Sequence, residues 1–377
     1  MFIALAILAF LSLLLLLWQW VAAYSFPLHR RVQDVSFSPP ITLLKPLKGL
    51  DENTIHCLRS WMEQDYPGTV QVLFGVASPD DPVCAVVKQL LAEFPKMDGQ
   101  LVLCREQLGI NGKVSSLIQM QRLARHDIII VSDGDVRVPG DFLRNAVAPL
   151  SDPDIGLVNC FYRLANPVNA AMRWEALAIN ADFWSQVLQG KSIAPLDFAL
   201  GAVMVTRREQ LAKIGGFEAL ADHLADDFQL GNRIVRICRK RIALCPVVVD
   251  CLSAPMNWKE AWAHQLRWAR TIRVSKPLPY AASILGNATF WPLLWAIAQS
   301  SRIAFITLAA CLVLRIVSAQ DLQTRLGAVP GQGKYFWLAP VKDLLQFALW
   351  ASAFFGNEIV WRGQRFRVQR DGRLARV

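Results

Sequence analysis

From Met1 to Leu28 the chain carries no Asp, Glu, Lys or Arg, and Met1 to Ala23 is interrupted only by Ser12 and Gln19. About 20 consecutive apolar residues span the hydrocarbon core of a bilayer, and the core helices of soluble domains seldom run so long and so uniformly apolar. Residues 1–24 are therefore read as a membrane anchor. A cleaved secretory signal opens with positive charge, which is missing here, so the anchor is expected to stay attached. Trp18, Trp20 and Tyr24 close it as an interfacial aromatic belt does, and His29, Arg30 and Arg31 follow. That charge places the downstream residues on the cytoplasmic side.

The other end is apolar too. Pro277 to Ser301 is free of charge between Lys276 and Arg302, and a second run, Ile303 to Leu314, lies between Arg302 and Arg315. The second run is short for a span unless its arginines reach the interfaces. A third stretch, Tyr335 to Phe355, contains Lys342 and Asp343. Charges at mid-span face protein or water, so this stretch reads as a span or an interfacial hairpin. The end is basic, with Arg362, Arg365, Arg367, Arg370, Arg373 and Arg376 against Asp371. If both the middle and this tail are cytoplasmic, the C-terminal block crosses an even number of times; two crossings are expected, the third stretch being interfacial or re-entrant.

Net charge is +10, from 40 Lys plus Arg against 30 Asp plus Glu. The tail accounts for about half of it and directly follows membrane segments, which favours anionic lipid headgroups over nucleic acid as its partner. The expected organisation is an anchor at 1–24, a linker at 25–39, a catalytic domain at 40–275, a C-terminal membrane region at 276–356 and a basic tail at 357–377.

Short apolar, β-branched runs recur in the middle: Ile41–Leu44, Val70–Val76, Leu101–Cys104, Ile128–Val131, Ile155–Val158, Val203–Thr206 and Val247–Val249. They read as buried strands. Helix-like stretches at Asn53–Gln64, Pro82–Phe94 and Lys113–Ala124 lie between them. Strands alternating with helices predict an α/β domain with a mostly parallel sheet, in which ligands bind beyond the carboxyl ends of the strands. The eight cysteines form no CxxC pair and the five histidines no HExxH. Gly112-Lys113 lacks the rest of a phosphate loop, since Gln107 and Val114 stand where Gly and Ser or Thr are required. No GxGxxG or GxSxG occurs, which weakens dinucleotide and hydrolase readings.

What remains are carboxylates at strand ends. Asp80-Asp81-Pro82 follows the run ending at Val76, and Ser132-Asp133-Gly134-Asp135 follows Ile128–Val131. A D-x-D after an apolar strand sets two carboxylates within reach of one divalent ion, Mg²⁺ or Mn²⁺, that keeps positions open for phosphate oxygens. The plain alternative is an acidic turn. Asp226-Asp227 precedes a helix-like run to Arg241 and reads as a helix-dipole partner or a general base. Lastly, His264, Gln265, Arg267, Trp268, Arg270 and Arg273 stand just before the membrane block. These arginines, three apart on a helix, suit phosphate forks or a basic helix beneath lipid headgroups.

In this order, between two apolar ends, the pieces resemble the D1, D2, D3, (Q/R)xxRW signature of membrane GT-A glycosyltransferases, and the ceramide glucosyltransferase family in particular. Thr42–Gly49 is similar to that family's opening strand and loop, Gly109-Ile110-Asn111-Gly112-Lys113 to its G-I-N-x-K segment, and Trp361-Arg362 with Arg365-Phe366-Arg367 to its C-terminal motif. The resemblance implies a GT-A fold with Asp81 as first acid, Asp133 as second and Asp227 as catalytic third. Two departures stand out: His264 occupies the Q/R position with Gln265 displaced by one, and Asp135 is acidic where eukaryotic ceramide enzymes can have another residue.

The implied activity is inverting transfer from a UDP-sugar, UDP-glucose favoured, to the primary hydroxyl of a ceramide-like membrane lipid. Asp133 and Asp135 would hold the metal, Asp81 and Lys113 the nucleotide-sugar with Asp133, and Asp227 would be the base. His264, Gln265, Arg267 and Trp268 would serve the diphosphate or the acceptor. The family also includes enzymes that transfer N-acetylglucosamine to bacterial hopanoid lipids, which is the first alternative. A processive polysaccharide synthase, a transferase acting on polyprenyl phosphate and a non-catalytic scaffold binding nucleotide sugar or lipid are the others. The short, insertion-poor layout points to a multi-pass protein of a bacterial inner membrane.

Overall fold

A computed structural model describes residues 2–327, 335–361 and 364–377. Helix α1 (Phe2–Tyr24) is followed by β1 (Ile41–Pro46), α2 (Thr54–Met62), β2 (Val70–Val76), α3 (Val83–Glu93), β3 (Asp98–Leu103), α4 (Gly112–Gln121) and β4 (Ile128–Ser132). Next come β5 (Val136–Arg137), α5 (Phe142–Val147), β6 (Ile155–Leu164), α6 (Ala170–Leu177), a π-helical turn at Ala178–Phe183 and α7 (Trp184–Ile193). Then follow β7 (Val203–Arg207), α8 (Arg208–Lys213), α9 (Asp226–Arg236), β8 (Arg241–Cys251) and α10 (Trp258–Ser275). The chain ends with α11 (Pro277–Ala282), α12 (Phe290–Gln299), α13 (Arg302–Gly327), α14 (Ala339–Ser352), β9 (Glu358–Trp361), β10 (Gln364–Val368) and β11 (Leu374–Arg376). It divides into two compact units, Leu28–Asn166 with Pro195–Ala254, and Met1–Pro27 with Pro167–Ala194 and Pro255–Val377. Segments 167–194 and 255–275, which the sequence groups with the sheet, thus cluster with the apolar helices.

In the sheet unit the strand order is β3-β2-β1-β4-β7-β6-β8-β5. The first four strands are parallel, β8 runs parallel to β6, and β7 lies antiparallel between β4 and β6. Strand β7 reverses because it starts where β4 ends: the Asp133 N–H donates to the Ala202 carbonyl at 3.3 Å. Along β1, β2 and β4 every second residue, such as Leu43, Phe74 and Ile130, packs with Trp61, Val87 and Phe142 of the covering helices. The intervening Leu44, Leu73 and Ile129 are buried as well. Burial on both faces demands continuous apolar strands, which is why these were readable from sequence. The run expected to stay helical to Arg241 does not: α9 stops at Arg236, Arg239 takes a left-handed φ of 57°, and Arg241 opens β8.

In the other unit, the two polar interruptions of α1 face protein. Ser12 Oγ donates to the Ala9 carbonyl at 2.8 Å, and Gln19 Nε2 donates to Ser185 Oγ at 2.7 Å. The indole of Trp20 donates to Asp321 Oδ2 at 2.7 Å. Helices α1 and α13 are long and apolar enough to cross a membrane; α11 through Gly286 and α12, bent by 55°, make a third crossing if they are one broken span.

The run from Ile303 does not end at Arg315. Helix α13 continues to Gly327, and Arg315 is buried rather than extended to an interface. Its guanidinium meets Asp182 Oδ2 at 2.9 Å and Asp343 Oδ2 at 2.8 Å; Lys342 Nζ meets Asp343 Oδ1 at 2.9 Å and also contacts Asp182. Two cations and two carboxylates cancel. Helix α14, which carries two of them, has 14 residues, about 21 Å at 1.5 Å per residue and short of a bilayer core.

Much of the basic tail is folded. Strands β9, β10 and β11 form an antiparallel sheet that buries Ile359, Phe366, Val368 and Leu374. The alternation Arg365-Phe366-Arg367-Val368 is the period-2 signature of a half-buried strand. Arg362 lies outside the described residues.

Candidate active site

The parallel strands β2, β1 and β4 end at one edge, where Gly75 pairs with Pro46 and Leu44 with Val131. Asp81 follows β2. Its carboxylate accepts from the Gly49 N–H at 3.1 and 3.0 Å and from the Val83 N–H at 3.1 Å. Gly49, at φ 76°, is in the left-handed region that glycine tolerates. Asp81 therefore ties the loop after β1 to its own.

One strand over, Asp133 and Asp135 leave β4. Beneath them the fully buried Lys45 donates to Ser132 Oγ at 3.2 Å and to the Asp133 carbonyl. Burial pulls its ammonium down to about 8. Asp135 is exposed, and its carbonyl accepts from the Leu252 N–H at 3.0 Å.

Lys113 joins the second acid, Asp133, to Asp226, the neighbour of the expected third. Asn111 caps α4, its side-chain oxygen accepting from the N–H groups of Lys113 and Val114 at 3.0 and 3.2 Å. The preceding loop is laced to residues 221–223: the Asn111 N–H donates to the Ala221 carbonyl at 2.8 Å, and Asn111 Nδ2 to the His223 carbonyl at 2.8 Å. Those residues lead directly into α9. Lys113 Nζ thus lies 2.8 Å from Asp133 Oδ1 and 3.2 Å from Asp226 Oδ2. Burial alone would lower its ammonium, but the surrounding carboxylates outweigh it and raise it.

Asp227 sits on the first turn of α9, half-buried. Burial first, then repulsion by Asp226, push its carboxyl up to about 7. Its Oδ1 accepts from the Phe228 N–H at 2.7 Å. A Cβ on Gly201 would lie 2.8 Å from Asp227 Oδ2, so the glycine makes room for the carboxylate.

Among the described residues no group of three or more His, Cys, Asp or Glu is close enough to hold a metal. Asp133, 39% exposed and paired through Oδ1 with Lys113, and the exposed Asp135 are the two acids that the sequence assigns to a divalent ion.

In the other unit, α10 carries the final motif. Helices α6 and α10 start together: Asn169 Oδ1 accepts from the Met172 N–H at 3.0 Å, its Nδ2 donates to the Met256 carbonyl at 2.9 Å, and Asn257 closes a capping box with Glu260. His264 and Gln265 both reach Glu175 of α6, while Trp268 packs beside His264 with ring centroids 5.1 Å apart. Arg267 lies on the same helix, its carbonyl accepting from Thr271 Oγ1 at 2.7 Å. Arg270 and Arg273, read as phosphate forks or as part of a basic helix beneath lipid headgroups, bond within the unit: Arg270 donates to the carbonyls of Phe355 and Glu358, and Arg273 to Asn357.

Sequence reasoning singled out neither Lys45, Asp226 on its own, Gly201 nor Glu175. Lys45, a charge inside the apolar run Ile41–Leu47, was the one with a visible signal.

The model of glycosyl transferase family 21 matches residues 1–374. The chain belongs to that family. Ceramide glucosyltransferase 3 of Caenorhabditis elegans is 26% identical to the family 21 chain over 212 residues, 55% of this chain and 45% of that protein. Ceramide glucosyltransferase 1 of the same organism is 22% identical over 359 residues, 93% of this chain and 76% of that protein. The first alignment thus spans less than half of its relative. Among solved structures, a mannosyltransferase of Pyrobaculum calidifontis in complex with GDP-mannose and Mn²⁺ superposes with a TM-score of 0.55, at 22% identity, over 93% of this chain and 96% of that one. The family 21 chain shares that fold, and its mixed, mostly parallel sheet is the GT-A-like architecture expected from sequence.

Proposed function

We propose that this chain transfers a sugar, glucose in the first instance, from a uridine diphosphate donor to the primary hydroxyl of a ceramide-like membrane lipid, with inversion at the anomeric carbon. The supporting observation is the grouping of Asp133, Asp226 and Asp227 about Lys113 at the strand ends, with a carboxyl near 7 on the residue assigned as base. The family and the names of its relatives support glucose and ceramide. Apolar helices α1 and α13 support a membrane location, with the sheet unit on the cytoplasmic side where nucleotide sugars are made.

Asp133 and Asp135 would hold a divalent ion, Mg²⁺ or Mn²⁺, which when bound neutralises charge on the departing diphosphate. Asp81 orders the loop after β1 beside the nucleotide, and Lys113 offers its ammonium to the diphosphate. Asp227 accepts the proton of the lipid hydroxyl as that oxygen bonds to the anomeric carbon. The bond from that carbon to the diphosphate oxygen breaks, and its electron pair leaves with UDP. Charge in the transition state is oxocarbenium-like, as in glycoside hydrolysis. His264, Gln265, Arg267 and Trp268 are assigned to the diphosphate or the acceptor on the family motif.

The test is UDP release by the purified protein in lipid nanodiscs, with Mg²⁺ or Mn²⁺. UDP-glucose and UDP-N-acetylglucosamine are each paired with ceramide or a polyol hopanoid, with Asp227→Asn as control. Release that needs UDP-glucose and ceramide and is lost in Asp227→Asn is the expected result. Release only with UDP-N-acetylglucosamine and the hopanoid would replace both substrates. Undiminished turnover in Asp227→Asn would remove the base assignment.

A further inference from the structure

The motif (Q/R)xxRW has two candidates for its first position here, His264 and Gln265, and their surroundings separate them. The buried stripe of α10 is Ala261, Gln265 and Ala269, spaced by four. Gln265 is therefore on the inward side, 5% exposed. The His264 side chain is 30% exposed, and at i, i+3 and i+4 it shares a face with Arg267 and Trp268.

Both residues end on one atom. Glu175 Oε1 lies 2.5 Å from His264 Nδ1 and accepts from Gln265 Nε2 at 2.9 Å. Glu175 is 1% exposed, and its Oε2 is buried with no hydrogen-bond partner among the described residues. A carboxylate that deep is costly unless its donors are held firmly on it. Where the Glu175 oxygen accepts from the ring, as from Gln265, the imidazole proton on this side is on Nδ1 and the nitrogen turned away is Nε2. The same logic orients catalytic and metal-ligating histidines through a carboxylate behind them. Helix α6 is fixed against α10 by Trp174, whose ring stacks on Trp262 with centroids 5.9 Å apart, so the carboxylate has a rigid base.

We propose that Glu175 is a positioning residue for the transfer reaction: it sets the ring of His264, which takes the motif's first position, while Gln265 is a buried brace on the same carboxylate. The inference rests on the glycosyl-transfer reading for its kinetic consequence only. Its structural content, a carboxylate-bound Nδ1–H on His264, stands apart from that reading.

Two measurements on the full-length protein in nanodiscs test it. In the first, ¹⁵N-histidine spectra of wild type, Glu175→Gln and His264→Gln are compared. With five histidines in the chain, the signal missing from His264→Gln assigns the ring. Wild type should show a strongly deshielded Nδ1–H that moves upfield in Glu175→Gln; if Glu175→Gln fails to fold, its presence or absence in wild type decides. The second is a double-mutant cycle in UDP release. Glu175→Gln should cost about tenfold in kcat/KM, chiefly through the KM of the UDP-sugar, in wild type and little in a His264→Ala background. An unshifted ring signal, or an equal cost in both backgrounds, overturns the proposal. Absence of turnover with every donor and acceptor instead overturns the glycosyl-transfer reading, and the ring signal still decides the role of Glu175.

Discussion

Lys113 Nζ lies 2.8 Å from Asp133 Oδ1, in a pair whose lysine side chain is 11% exposed and whose aspartate is 39% exposed. The lysine is the fixed partner and the carboxylate the open one. With Asp226 on its other side, Lys113 neutralises a group of acids that would otherwise repel one another. Lys113→Ala is expected to lower turnover by about 10²–10³-fold, the usual cost of losing one donor to a developing anion. Because the acids are left unbalanced, Mn²⁺ should raise the thermal midpoint of this variant more than that of wild type. Thermal scans with and without the ion check this; an equal Mn²⁺ increment in both proteins would count against the two-carboxylate seat.

Gly201 makes a separate case, because the atom a new methyl would meet is the tip of a side chain. The Cβ of Gly201→Ala lies 2.8 Å from Asp227 Oδ2, and the carboxylate can swing away without moving backbone. The variant should fold with a thermal midpoint within a few degrees of wild type and lose on the order of 10²-fold in kcat, as a displaced catalytic group does. Wild-type kcat in a folded Gly201→Ala would show that Asp227 is not the base.

The sheet was legible because its strands are buried on both faces. Val70–Val76 was read with the bounds it has, and Ile128–Val131 is one residue short of its strand. Strand β7 was found but not its direction, since antiparallel pairing with β4 leaves no mark on a run as short as Val203–Arg207. The acids were legible as residues after strands. Their grouping was not, because it depends on the loop before α4 lying along residues 221–223. Glu175 was invisible for a different reason: a lone Glu in Ala-Ala-Met-Arg-Trp-Glu-Ala-Leu reads as a solvated helix face, and only α10 makes it an interior one.

The carboxyl of Asp227, held near 7, makes metal-free stability depend on pH in a defined direction. A carboxyl raised on folding binds more protons in the folded than in the unfolded state between about pH 4 and 7, so its contribution to stability falls as pH rises through that window. Asp227→Asn removes the penalty and keeps the acceptor for the Phe228 N–H. At pH 8 the variant should be more stable than wild type by on the order of 1 kcal/mol after solvent screening, with the difference gone near pH 4. Unfolding midpoints at the two pH values in the presence of a chelator test the sign; a difference independent of pH would show that Asp227 is not raised.

Arg315, Asp182, Lys342 and Asp343 bring four charges from the π-helical turn, α13 and α14 into one buried cluster. The cluster balances as a whole, so what matters is the count of each sign and not any single pair. Arg315→Met leaves one uncompensated negative charge and Asp182→Asn one uncompensated positive charge, each expected to cost about 3–5 kcal/mol. The double variant keeps Lys342 with Asp343, a neutral pair, and should recover a large part of the loss. Folded yield and unfolding midpoints of the two single variants and the double variant in nanodiscs supply the cycle. Losses that simply add would show that the contacts act independently and that charge balance is not what fixes these helices together.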